Sequence, residues 1–94
     1  MTSQFDLAWA LAKAESTQML RTDRTRIYAE IGAGETFSAI SRLLTYAANR
    51  GFPLPMDLIW ELRRWLNGYT GTREGARLRR LLDDVRPAKV EQPR

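Results

Sequence analysis

The chain has no cysteine and no histidine. Without cysteine there is no disulfide framework and no thiolate metal site, and nothing marks an oxidising compartment, so a cytoplasmic setting is expected. Without histidine as well, the commonest general base, the best protein nucleophile and the usual transition-metal ligands are missing. Ser-His-Asp, Cys-His and zinc mechanisms cannot be built within one chain, and a non-enzymatic protein with no metal and no cofactor is expected.

Long apolar runs are also absent. The longest stretch free of charge is Trp65 to Thr72, eight residues that include two glycines, against the roughly 20 apolar residues that span a bilayer. The opening segment, MTSQFDLAWALAKAE, lacks a basic leader and meets Asp6 and Lys13 around a very short apolar run, unlike a secretory signal. A complete, unprocessed chain that does not enter a membrane is expected. Valine occurs only at Val85 and Val90, and no segment alternates with period two for long, so strands are not expected.

The remaining candidates for chemistry are weak. Asp57 and Glu61 share a helix face with Arg64 beside them, which reads as an ion-paired, solvated face rather than a metal cluster. Asp83 and Asp84 are adjacent and point about 100° apart on a helix; pairing with Arg79 and Arg80 one turn away is expected instead. Gly68, Gly71 and Gly75 make no phosphate loop, because no Lys-Ser or Lys-Thr follows and no strand precedes them.

What is present is a helical pattern. The 94 residues, 44% of them hydrophobic, suffice for one small core, and apolar residues recur at i, i+3, i+4 and i+7. The expected fold is all-α: a small bundle of four to five helices over residues 1–86, followed by a polar, mobile tail over 87–94. Expected core residues are Trp9, Phe37, Ile40, Leu44, Leu58, Leu62, Trp65, Leu78, Leu81 and Leu82.

The first helix carries two apolar faces. Phe5, Ala8, Trp9, Ala12, Ser16, Met19 and Leu20 line the expected inward side, and Leu7, Ala10, Leu11 and Ala14 lie on the far side. Either the helix is central or its second face meets another chain. No glycine or proline interrupts residues 4–31, and one helix over that span would be about 42 Å long, against a radius of gyration near 12 Å for a compact domain of this size. A break at RTDRTR is favoured, with Thr22 or Asp23 capping a short helix from Arg24 to Ile31.

The later boundaries are clearer. Thr36 is the expected cap of the next helix, and Gly51, Phe52 and Pro53 make a strong stop. Pro55 suits the first turn of the following helix and Asp57 complements its dipole. Thr72 is placed to cap the last helix, which Pro87 closes.

Charge is uneven along the chain. Residues 1–59 hold six basic and six acidic side chains, whereas residues 60–94 hold nine basic and five acidic. Such asymmetry favours an anionic partner, although Arg greatly outnumbers Lys, as a GC-rich genome produces without selection for binding.

Two candidate surfaces follow. On the helix after Pro55, Trp60 lies nearly opposite the buried stripe, beside Met56, Arg63, Arg64 and Asn67. An exposed tryptophan among arginines can anchor a protein interface, lie under arginine stems as a local cation–π cluster, or stack on an unpaired base. The leading expectation is an interface for a protein partner or a homodimer, with Leu7, Leu11 and Trp60 as anchors and Arg63 and Arg64 as polar rim. The alternative is a nucleic-acid surface on the last helix, where Arg73, Arg77 and Arg80 form one basic row starting at the helix N-terminus. Against it, Glu74 sits in the first turn and Asp83 and Asp84 would repel a duplex. A basic amphipathic helix lying on a membrane fits less well, because the apolar stripe here is narrow and aliphatic.

Overall fold

A computed structural model of the chain describes residues 3–88. Among these residues there are five α-helices and no strand: α1 Gln4–Glu15, α2 Arg21–Gly32, α3 Thr36–Arg50, α4 Met56–Leu66 and α5 Arg73–Asp83, with a single 3-10 turn at Asn67–Tyr69. This is the small all-α bundle that the apolar spacing implies. Helix α3 packs on α1, α2 and α5, and α4 packs on α1 and α5.

Local chemistry sets several helix ends. Ser3 caps α1 by accepting the Asp6 N–H at 3.0 Å, and Thr72 caps α5 by accepting the Gly75 N–H at 2.9 Å, each satisfying an otherwise orphaned donor. Gly51 ends α3 in the left-handed conformation at φ 73°, which a glycine adopts without steric cost. Phe52 then folds back on the core. Pro55 immediately precedes α4. Thr36 is not a cap but the first residue of α3; its buried hydroxyl accepts from Gln4 Nε2 at 2.7 Å.

The chain does break between the first two helices, but at 16–20 rather than at RTDRTR. The Ser16 hydroxyl donates to Lys13 O at 2.9 Å, competing with helix continuation. Met19 is buried in this turn, and Arg24 Nη1 donates to Ser16 O at 2.9 Å. Thr22 and Asp23 therefore lie within α2, which buries only Ile27 and Ile31.

The phase of α1 corrects the sequence reading. Leu7 and Leu11 are 2% and 0% exposed and sit in the core with Ala8 and Ala12, whereas Trp9 is 38% exposed. Leu7 and Leu11 are thus not surface anchors, and Trp9 is not a core residue. The physical reason is size: an aliphatic stripe with two alanines lets α1 lie close against α3, and an indole on that line would hold the helices apart. Leu20, expected inward, is exposed as well.

The rest of the core follows the aliphatic stripes, with Ile40, Leu43 and Leu44 from α3, Leu58, Leu62 and Leu66 from α4, and Leu78 and Leu82 from α5. Phe37, Trp65 and Leu81 are half-buried at its margin. Residues 87 and 88 belong to the fold rather than to a tail. Leu54 N donates to Arg86 O at 3.0 Å and Ala88 N to Leu54 O at 2.8 Å, pinning this segment beside buried Leu54. The remainder of the expected tail, 89–94, lies outside the described residues.

Candidate interaction surface

Helix α4 spends one face on the core. With Leu58, Ile59, Leu62 and Leu66 turned inward, the 3.6-residue repeat turns Trp60 outward, and it is 62% exposed, with Met56 at 45% one turn before it. A tryptophan left this open keeps a large apolar area in water. Around it, Arg63 Nη1 pairs with Asp83 Oδ1 at 3.2 Å, and Asp57 Oδ1 accepts its neighbour's Leu58 N–H at 3.0 Å. Among the described residues, Asp57, Glu61 and Arg64 take part in no ion pair, so the expected pairing of Arg64 with Asp57 and Glu61 does not form.

A shallow apolar groove of ≈ 360 Å³ runs beside this face, between α1 and α4. Leu7, Ala10, Ala14 and Leu58 line it, and Asp57, Glu61 and Lys13 stand at its rim. Leu7 thus contributes to this surface only as floor.

A second apolar patch has no counterpart in the sequence reading. Phe5, Trp9 and Tyr28 are all exposed, with Trp9 centred 5.4 Å from Tyr28 and 6.3 Å from Phe5. The i, i+4 spacing of Phe5 and Trp9 is a signal for it, hidden by assigning both rings to the core.

Trp65, five residues after Trp60, is placed quite differently. It packs against Phe37 and Tyr69 with centroids 5.6 and 5.0 Å away, and its indole N–H donates to Gln4 Oε1. Among the described residues, the guanidinium that covers a ring is that of Arg50, 4.2 Å above Tyr46.

The basic row on α5 is brought together. Arg73, Arg77 and Arg80 line one shallow cavity of ≈ 380 Å³ with Ala76, Leu81 and Asp84. Arg77 Nη2 also donates to Ser41 Oγ at 2.6 Å. The expected pairs Arg79–Asp83 and Arg80–Asp84 do not form: Asp83 is held by Arg63, and Arg79 Nη2 donates to Leu66 O at 3.2 Å and Thr70 Oγ1 at 3.3 Å. For Arg79 and Asp83, contacts to other segments replace the pair along one helix.

Among the described residues one ionisable group is buried. Glu15 is fully buried at the end of α1, and among the described residues neither of its carboxylate oxygens has a hydrogen-bond partner. Burial pushes its pKa from 4.5 up to about 9, partly opposed by the positive charge of Arg50. Arg50 is itself engaged with Asp23 at 2.8 Å, and that bond holds the Asp23 carboxyl below its usual range.

No group of three or more His, Cys, Asp or Glu side chains among the described residues is placed to hold a metal ion. No helix among them is long and apolar enough to cross a membrane. No family model matches the chain, and no curated protein or solved structure does either, so only the geometry of these surfaces bears on what they do.

Proposed function

We propose that this protein is a small, non-enzymatic interaction protein with a regulatory role, acting by binding another protein or a second copy of itself through the outer face of α4. The observation that carries this reading is Trp60, 62% exposed beside Met56 and Arg64. Tryptophan and arginine are the residue types that dominate binding energy at protein interfaces, and contiguous exposed apolar surface marks such sites. The absence of histidine and cysteine supports a non-enzymatic role, and the absence of cysteine suits a cytoplasmic setting.

The test is a photo-reactive phenylalanine analogue at position 60, introduced in cells producing the full chain, with the same analogue at exposed Asn49 on α3 as control. Protein adducts at position 60 and none at position 49 are expected. Equal labelling at both positions, or none at position 60, overturns the reading.

A second reading has its own observation, the convergence of Arg73, Arg77 and Arg80 on one cavity. On it, the three guanidinium groups bind the phosphates of a nucleic acid, with affinity that falls steeply with salt as counterions are released. A mobility shift at low salt that weakens in Arg77→Glu supports it. No shift with either duplex or single-stranded probes removes it.

A further inference from the structure

We infer that the chain pairs with a second copy of itself through α4, the two helices running antiparallel about a twofold axis that passes beside Trp60. This deepens the reading that the outer face of α4 is an interaction surface, and rests on it. The observation is the order of side chains along that face. Asp57, Trp60 and Arg64 are spaced i, i+3 and i+7, the spacing of a single packing seam on a helix. All three are exposed. The seam therefore reads acid, indole, base from the N-terminal to the C-terminal end of α4.

A twofold axis makes an interface of one patch against itself, so the patch must be self-complementary. With the axis between positions 60 and 61, Asp57 and Arg64 stand equally far from it, about 5 Å along the helix at 1.5 Å per residue. Antiparallel pairing then sets Asp57 opposite Arg64 of the second copy, and Arg64 opposite its Asp57. The two indoles meet near the centre, with Met56 beside them. Parallel pairing would set Asp57 on Asp57 and Arg64 on Arg64, and like charges in register are repulsive. Helix dipoles favour the same choice, since antiparallel α4 helices bring opposite ends together.

The charges are available for this use. Among the described residues Asp57 and Arg64 make no ion pair, whereas Arg63 on the adjacent line is committed to Asp83. The charge of the stripe inverts about the central indole, so a second copy turned antiparallel gains two ion pairs and the burial of both tryptophans from the one patch. The basic row on α5 and the patch at Phe5, Trp9 and Tyr28 lie off this seam. Because α4 is only 11 residues long, the contact is smaller than a standard stable interface, and dissociation in the micromolar range is expected.

The decisive experiment is sedimentation equilibrium of the full chain, from low micromolar to near-millimolar concentration, with Asp57→Arg, Arg64→Asp and their equimolar mixture, each checked for wild-type helical content by circular dichroism. Wild type should show a reversible monomer–dimer equilibrium. Each single variant, which sets two like charges against each other at both ends of the seam, should dimerise at least tenfold more weakly. In a mixed dimer one chain brings a base at both ends of the seam and the other an acid at both ends, so opposite charges face each other again. The mixture should therefore recover a dimer that neither variant forms alone. A wild type that stays at the mass of one chain throughout overturns the proposal. So does a dimer indifferent to both charge reversals, or one that the mixture fails to restore. Position-60 cross-linking separates this failure from that of the broader reading: protein adducts whose mass differs from that of two chains, with a monomeric wild type, would overturn self-pairing and leave the interaction surface standing, whereas no adduct and no dimer would remove both.

Discussion

Gln4 and Trp65, 61 residues apart, meet where Gln4 Oε1 accepts the indole N–H at 3.2 Å. The same oxygen accepts from the Tyr69 hydroxyl at 3.0 Å, and Gln4 Nε2 donates to Thr36 Oγ1 at 2.7 Å. One carboxamide thus joins the start of α1 to the start of α3 and the end of α4. Gln4→Ala leaves partly buried polar groups without partners, which costs about 1–3 kcal/mol when water cannot fully replace the bond. The expected outcome is a loss of about 1–2 kcal/mol in urea denaturation, with a red-shifted tryptophan emission from the loosened Trp65 site.

Gly75 and Gly32 should respond to alanine with opposite signs. Both lie in helices, where alanine is favoured over glycine by about 1 kcal/mol. A Cβ on Gly75 would press directly on Tyr69 O and lie 2.9 Å from Thr72 Oγ1, the cap of the same helix. The carbonyl belongs to backbone and cannot swing away, so Gly75→Ala should lose roughly 2 kcal/mol or more despite its propensity. A Cβ on Gly32 meets nothing within 4 Å, and Gly32→Ala should gain about 0.5–1 kcal/mol. Chemical denaturation of the two variants side by side checks both signs.

How legible these features are in sequence depends on whether the deciding contact is local. Thr72, three residues before the N–H that it caps, and Gly51 with Phe52 and Pro53 are legible because cap and stop act within one turn. Trp60 is legible because the aliphatic stripe of α4 has one phase only. In α1 both faces are apolar, and the choice between Leu7–Leu11 and Phe5–Trp9 is made by α3, more than 20 residues later in the chain. The partners of Arg63 and Arg79 come from other segments in the same way: position along one helix suggests Asp83 for Arg79, and the fold delivers Asp83 to Arg63. The Gln4 junction carries no local sign at all. Neither does the burial of Glu15, which on a wheel stands beside buried Ala8 and Leu11 but reads as an ordinary charged residue near a helix end.

Leu11 and Trp60, both expected as surface anchors, lie one in the core and one on the surface, and truncation should tell them apart. Leu11 is fully buried, and Leu11→Ala should cost about 2–5 kcal/mol through lost burial and the cavity left behind. Trp60→Ala removes an exposed ring and should change stability by less than about 1 kcal/mol, while weakening association of the chain at least tenfold. Thermal melting and sedimentation on the same two proteins make the comparison. A Trp60→Ala protein that melts as early as Leu11→Ala would place the indole in the fold's own core.

Glu15 gives the stability a pH dependence of unusual sign for a carboxyl group. In the folded chain its pKa is about 9, against 4.5 as the ordinary value, so between these values the folded state holds a proton that the unfolded state has lost. Stability therefore carries no penalty from this group below pH 4.5, and falls as pH rises through the window up to about 9. The limiting slope is about 1.4 kcal/mol per pH unit, which by pH 7 amounts to a cost on the order of 3 kcal/mol. The groups nearest in charge do not reverse this: Arg50 stays cationic, and Asp23, held below its usual range by Arg50, titrates beneath the window. Urea denaturation at half-unit steps from pH 5 to 8.5 should show a steady decline for wild type, at about or below that limiting slope. Glu15→Gln, neutral in both states, should flatten the profile. Glu15→Leu should flatten it and raise stability at pH 7, because an apolar side chain then occupies a site that offers the carboxyl group no hydrogen-bond partner. A wild-type profile already flat across this range would mean that Glu15 keeps its charge by reaching water or the Arg50 guanidinium in solution.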